Sequence, residues 1–212
     1  SHSNEKVIGL DKLTYAGNLE NLKSIKSNPN YIFFQGDIGC SKVTAKILKE
    51  YQPRAILNFA AESHVDNSIE NPNEFIQTNI IGTFNLLRCV NDLNISKNEK
   101  TIFLHISTDE VFGSLKMDDP SFTEKNSYKP NSPYSASKAS SDHLVRSWYK
   151  TYNLPILITN CSNNYGPNQN TEKLIPKIIK RAINKDSISI YGDGMNIRDW
   201  LYVEDHCKAI LR

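Results

Sequence analysis

A chain of 212 residues with 39% hydrophobic content is long enough to pack one domain and part of a second. Its 25 basic residues against 23 acidic ones leave a net charge of +2, which favours neither nucleic acid nor an anionic membrane surface, and no apolar run approaches the roughly 20 residues of a transmembrane helix. The four cysteines (Cys40, Cys89, Cys161, Cys207) form no C-x-x-C pair and the five histidines show no ligand spacing, so the composition points to a reduced, cytoplasmic protein without a metal site.

No signal-peptide core follows Ser1-His2-Ser3-Asn4. Lys6 to Leu10 is a short apolar run closed by Asp11, as expected of a buried strand ending in an acidic residue. In dinucleotide-binding folds such a residue holds the adenosine ribose, about 20 residues after a glycine-rich phosphate loop. None of the nine glycines has that spacing, so Asp11 reads either as a turn residue or as the ribose ligand of a fold whose first strand lies outside this chain.

Tyr31 to Gln35 is a second strand, followed by Gly36-Asp37-Ile38. Ser41 is placed to cap a helix reaching Tyr51, with Val43, Ile47, Leu48 and Tyr51 on its apolar face. Ala55 to Ala61 is continuously apolar, the pattern of a parallel strand covered on both faces. A second helix is expected over Pro72 to Leu93, and a strand from Lys100 to Ile106 that stops at Ser107-Thr108-Asp109-Glu110. The polar stretch from Ser114 to Pro133 holds three prolines and reads as a surface loop. A helix from Tyr134 to about Asn153 should follow, then a strand over Pro155 to Asn160, a helix over Leu174 to Lys185 and a strand over Ser187 to Tyr191. A last helical run, Val203 to Arg212, reaches the end of the chain, and both ends read as interrupted.

Strands alternating with helices predict an α/β, Rossmann-like doubly wound and mainly parallel sheet, here lacking its first strand. Residues 1–165 make up that dinucleotide-binding domain, and residues 166–212 begin a smaller substrate-binding region that returns to the core. Ligands in such folds lie beyond the carboxyl ends of the strands, where Asp11, Asp37, Ala61 to Ser63, Ser107 to Glu110 and Cys161 to Asn164 converge. Tyr134 and Lys138 stand one helical turn apart on one face. An ammonium there lowers the phenol from its ordinary value of about 10, which makes the pair a candidate base for an alcohol or sugar hydroxyl. Asp109 and Glu110 add an acid and a base.

The stretches Asp11 to Leu19, Ala60 to Asp66, Ile106 to Val111, Ser132 to Leu144 and Asn160 to Pro167 closely resemble dTDP-glucose 4,6-dehydratases of the extended short-chain dehydrogenase/reductase superfamily. The resemblance implies NAD as cofactor, dTDP-glucose as substrate and a homodimer built on the Pro72 and Tyr134 helices. It assigns catalysis to Thr108, Asp109, Glu110, Tyr134 and Lys138. Tyr134, helped by Lys138, would deprotonate the 4-hydroxyl as C4 is oxidised; Glu110 would take the C5 proton, Asp109 would protonate the departing 6-hydroxyl, and Thr108 would bond the sugar near O4. It further implies that Asp11, Lys12, Thr14, Asp37, Ile38, Ala60, Ala61, Thr78, Tyr134, Lys138 and Asn164 touch NAD, and that Ser63, Thr108, Asn163, Lys173, Leu174 and Arg198 touch the nucleotide sugar. Ser189 stands where family members often carry proline. Two alternatives remain: a sugar-nucleotide epimerase or decarboxylase, of which Asp109 and Glu110 argue against the epimerase, and an inactive nucleotide-sugar-binding fragment.

Overall fold

A computed structural model of the protein describes residues 4–95, 97–190 and 192–212. They fall into two compact units, which divide after Asn160.

The first unit opens with the strand pair expected from the apolar runs, β1 (Val7–Asp11) and β2 (Tyr31–Gln35), parallel and in register from Val7 opposite Tyr31 to Asp11 opposite Gln35. Helix α1 (Ser41–Tyr51) follows, burying Thr44, Ile47 and Leu48. Its N-cap is Cys40 rather than Ser41, without a side-chain cap, and Gln52 in the left-handed region closes it. Strand β3 covers only Ala55–Asn58. The expected continuation through Ala61 does not form, because pairing with the neighbouring strand stops at Asn58, opposite His105; Leu57 and Phe59 are exposed and Asn58 is buried. An apolar run alone cannot tell a two-faced strand from a strand leading into a loop.

The expected helix over residues 72–93 is built in pieces, and a short helix, α2 (Val65–Glu70), comes before it. Helix α3 (Pro72–Phe75) passes into a π-helical segment, Ile76–Gly82, which continues as α4 (Thr83–Ile95). Strand β4 (Ile102–Thr108) pairs parallel with β3, Ala55 opposite Ile102 through Asn58 opposite His105. A 3-10 turn, Asp109–Phe112, carries the chain off the strand into the loop. Helix α5 (Pro133–Tyr152) begins in a capping box: Ser132 Oγ accepts from the Ser135 amide, and Ser135 Oγ from the Ser132 amide. Strand β5 (Ile156–Cys161) completes the order β3-β4-β5.

β1–β2 and β3-β4-β5 are separate ladders rather than one continuous sheet. They nonetheless run side by side in one direction. Arg54, just before β3, pairs with Glu5, just before β1, at 2.8 Å, while beyond the opposite ends Asn67 donates to the Tyr15 hydroxyl at 3.2 Å. The core lies between β4, α1, α4 and α5, where Leu48, Leu86, Leu87, Val90, Phe103, Val145 and Leu154 pack together. A smaller cluster of Val111, Phe112 and Ala139 anchors the loop with Phe122 and Tyr128. Gly113 at φ 100° is required at the loop's start, since a Cβ there would meet the Lys129 carbonyl at 2.7 Å.

The second unit holds a parallel pair, β6 (Asn163–Tyr165) and β7 (Trp200–Tyr202), with helices α6 (Leu174–Asn184) and α7 (Val203–Ile210). Residues 187–190 are irregular instead of the expected strand, with Ile188 and Ile190 exposed; Tyr191, the last residue of that expectation, lies outside the described residues. Alternating polarity without a partner edge does not make a strand.

Candidate active site at the end of the central strand

The centre of the site is the junction of β4 and α5. Lys138 is 3% exposed, and its ammonium donates to the Ile106 carbonyl at 2.7 Å. That bond fixes the lysine against the strand just before Thr108. Thr108 caps the 3-10 turn: its hydroxyl accepts from the Glu110 amide at 3.3 Å and donates to Asp109 Oδ1 at 3.2 Å. Asp109 and Glu110 are half-buried. Tyr134 lies one turn before Lys138, half-buried, with its ring edge-on to Phe75 at 6.3 Å. Hydroxyl, two carboxylates, phenol and ammonium are thus carried by two elements bound to each other.

A second group surrounds the ends of β1 and β2. Asp11 is exposed, and its carboxylate accepts from the Leu13 amide at 2.7 Å, an Asx turn. Lys12 pairs with Asp37 at 2.9 Å. Burial pushes the Asp37 carboxyl up, but the Lys12 bond and the Gly39 amide outweigh it and hold it below the usual range; Asp37 likewise raises Lys12. Ile38 is buried, and its carbonyl accepts from Asn85 of α4. Thr14 lies on the loop beyond, accepting from the Gly17 amide through its carbonyl.

Ala60, Ala61 and Ser63 form the loop after β3, with Ser63 exposed. That loop is held from an unexpected position. Asn79, buried in the π-helical segment next to Thr78, donates to the Glu62 carbonyl, accepts from the Glu62 amide, and donates to Ser137 of α5 at 2.8 Å. Asn79 therefore ties the β3 loop to the helix that bears Tyr134 and Lys138. Sequence reasoning missed it, although an asparagine amid an apolar helical run (Ile76-Gln77-Thr78-Asn79-Ile80-Ile81) is a usable signal, since a buried amide needs partners.

Beneath the junction runs a buried polar chain. The Asn58 amide lies 3.2 Å from His105 Nδ1, and His105 Nε2 lies 3.3 Å from Ser141 Oγ and 3.4 Å from Asp142 Oδ1. Burial, and then the Lys138 charge, hold the His105 imidazole well below its ordinary value. The sign follows directly: the folded state keeps His105 neutral while the unfolded chain takes up a proton below about pH 6.5. His105 therefore lends stability above that pH and loses it on acidification. Asp142 opposes it, because burial raises its carboxyl and folding then favours the protonated form just above the ordinary value of about 3.8. Thermal melts should show Tm falling from pH 7 to pH 5.5, with a shallower slope in His105→Gln; equal slopes would exclude this account.

In the second unit, Asn163 and Asn164 lie on β6, and Asn164 Oδ1 meets His206 Nδ1 at 2.8 Å. Lys173 is the N-cap position of α6, 4.0 Å from Glu172, and Leu174 begins that helix, exposed. Arg198 is exposed in irregular chain and bonds the neighbouring Ile197 carbonyl.

The family model of GDP-mannose 4,6 dehydratase matches residues 2–212, almost the whole chain. The chain belongs to that family. Among curated members, it is 55% identical over 209 residues to a dTDP-glucose 4,6-dehydratase of Xanthomonas campestris, spanning 97% of this chain and 59% of that protein. A dTDP-glucose 4,6-dehydratase of Escherichia coli is 53% identical over 222 residues, spanning 99% of this chain and 61% of the relative. Among solved structures, a dTDP-glucose 4,6-dehydratase of Streptomyces venezuelae with NAD bound superposes with a TM-score of 0.92 at 44% identity, covering 99% of this chain and 62% of its own. A UDP-glucuronic acid 4-epimerase of Bacillus cereus, with UDP-glucuronic acid and NAD, reaches 0.87 at 26% identity. The chain thus spans about three fifths of the length of the relatives it matches. The family's Rossmann-type architecture agrees with the parallel ladders and flanking helices described above.

Proposed function

We propose that this chain carries the acid–base machinery of an NAD-dependent dTDP-glucose 4,6-dehydratase. One observation carries the reading: Thr108, Asp109 and Glu110 stand at the end of a strand that Lys138 itself grips, one turn from Tyr134. A redox step on a sugar alcohol needs one base; elimination of water needs a further acid and base. Epimerisation leaves two adjacent carboxylates without a task, so the pair favours dehydration.

In this reading the Tyr134 phenol, poised by the Lys138 ammonium, takes the proton of the 4-hydroxyl while Thr108 bonds the sugar near O4. Bound NAD supplies the hydride acceptor and donor. The 4-ketone acidifies C5; Glu110 removes that proton, Asp109 protonates O6, and water departs. A dinucleotide fits the two ends of the edge: an exposed carboxylate, Asp11, closes β1, and the phenol and ammonium stand on α5. No glycine-rich phosphate loop occurs among the described residues. Lys12, Thr14, Asp37, Ile38, Ala60, Ala61, Thr78 and Asn164 are the further NAD contacts proposed, and Ser63, Asn163, Lys173, Leu174 and Arg198 those for the nucleotide sugar. The decisive assay supplies NAD and dTDP-glucose and detects the 4-keto-6-deoxy product. A 4-epimer, or an unchanged sugar, would reject the proposal.

A homodimer through α4 and α5 is part of the same proposal. Phe84 of α4, Ile81 of the π-helical segment before it, and Tyr149 and Tyr152 of α5 are exposed, with the Arg88 guanidinium 5.9 Å over the Phe84 ring. Sedimentation should give twice the 24.1 kDa chain mass, and Tyr152→Glu should shift it to monomer. A single 24.1 kDa species at all concentrations would refute the dimer.

A further inference from the structure

Asp142 lies on α5 one turn beyond Lys138 and is 2% exposed, yet nothing in the proposed chemistry uses it. Its Oδ2 receives three donors from three separate places: Ser107 Oγ of β4 at 2.8 Å, the Tyr128 hydroxyl of the loop at 2.9 Å, and the Asn160 amide of β5 at 3.5 Å. The same Asn160 amide donates to the Thr108 carbonyl at 3.2 Å. Oδ1 is buried 3.4 Å from His105 Nε2 and makes no hydrogen bond. The hydrogen bonds to the carboxylate therefore converge on one oxygen.

An ionised carboxylate holds these donors more strongly than its amide would. An asparagine can keep one oxygen toward Ser107 and Tyr128, but it loses the charge that strengthens those bonds and brings an NH2 to the buried place of Oδ1. A buried charge is costly, and replacing it with apolar packing is often neutral or better for stability. Its presence here points to geometry as its use. Ser107 directly precedes Thr108, and Tyr128 adjoins Lys129, whose amide bonds the Val111 carbonyl at 2.9 Å. Through these contacts one side chain fixes both flanks of the Thr108–Gly113 turn to the helix that bears Tyr134 and Lys138.

We propose that Asp142 is a positioning residue that sets the Asp109–Glu110 turn against Tyr134 and Lys138. The proposal rests on the dehydratase reading for what is positioned, and its test has a readout independent of turnover. Residue-resolved hydrogen exchange should show the Glu110, Gly113 and Lys129 amides exchanging about tenfold faster in Asp142→Asn. The β1 and β2 amides should be unchanged. Tyr128→Phe, which removes one donor and keeps the ring, should accelerate Lys129 alone and serves if the first variant does not fold. In the assay with NAD and dTDP-glucose, Asp142→Asn should lower kcat about tenfold with KM held within about twofold, since the variant touches neither ligand. Unchanged exchange across residues 108–113, or acceleration spread evenly through β1 and β2, would overturn the positioning role. A wild-type chain without product would instead sink the dehydratase reading, leaving the exchange result to decide the role of Asp142.

Discussion

Glu110→Gln is expected to lower formation of the 4-keto-6-deoxy sugar by about 10²–10⁴-fold while leaving the fold intact. The substitution keeps the shape of the side chain and removes only its capacity to take a proton. The 3-10 turn does not depend on that carboxylate, because Thr108 caps it through the Glu110 backbone amide. Tm should therefore stay within about 1–2 °C of wild type. In deuterated water the variant should also lose incorporation of solvent deuterium at C5, the atom Glu110 is assigned to deprotonate. Asp109→Asn makes the contrast, since it should retain deuterium exchange at C5 while water loss fails. If the two variants behave alike, the division of labour between the carboxylates is wrong even where dehydration itself is observed.

Phe103→Ala should cost about 3–5 kcal/mol of stability. Phe103 is fully buried near the start of β4, packed with Leu87, Val90, Val145 and Leu154, and its ring stacks on that of His105 at 6.3 Å. Truncation opens a cavity between a strand and two helices that are tied by several other contacts and cannot collapse to fill it. Against a total of about 5–15 kcal/mol for a domain, such a loss is a large fraction. Urea unfolding followed by circular dichroism measures it. A shift below about 1 kcal/mol would mean that this cluster is not the core that carries the strand end.

The parts of the fold that could be read from the sequence are those where one local signal decides. Val7 to Leu10 and Tyr31 to Phe34 are apolar and bounded by polar turns, and both are strands. The helix expected from Tyr134 is present and starts one residue earlier, at Pro133, behind the Ser132 cap. Errors arose where tertiary partners decide. Ala55 to Ala61 looked like one strand, but the ladder with β4 ends at Asn58 opposite His105. Ser187 to Ile190 alternates without an edge to pair with, and β7 forms instead at Trp200–Tyr202 because Asn163–Tyr165 lies beside it. The same distinction runs through the site. Tyr134, Lys138, Asp109 and Glu110 stood out because their spacing alone is chemically suggestive. Asn79, Asp142 and Asn160 did not, since a polar side chain on a helix or strand declares itself only when its buried partners are known. Asp142 had one legible hint, its place one turn after Lys138 on the same helix face.

The widened segment Ile76–Gly82 also determines how this region can change in length. A π-turn holds one residue more than an α-helical turn, so everything after it is rotated by about 100° relative to an uninterrupted helix. Ahead of the segment, Phe75 meets the ring of Tyr134; beyond it, Leu86, Leu87 and Val90 enter the main core. The widened turn absorbs the extra residue, so the turns on either side keep the faces they would have in a helix one residue shorter. Removing one residue there would close the widened turn into an ordinary helix while each flanking turn kept its own face, so a deletion of a single codon is tolerated here better than elsewhere along the rod.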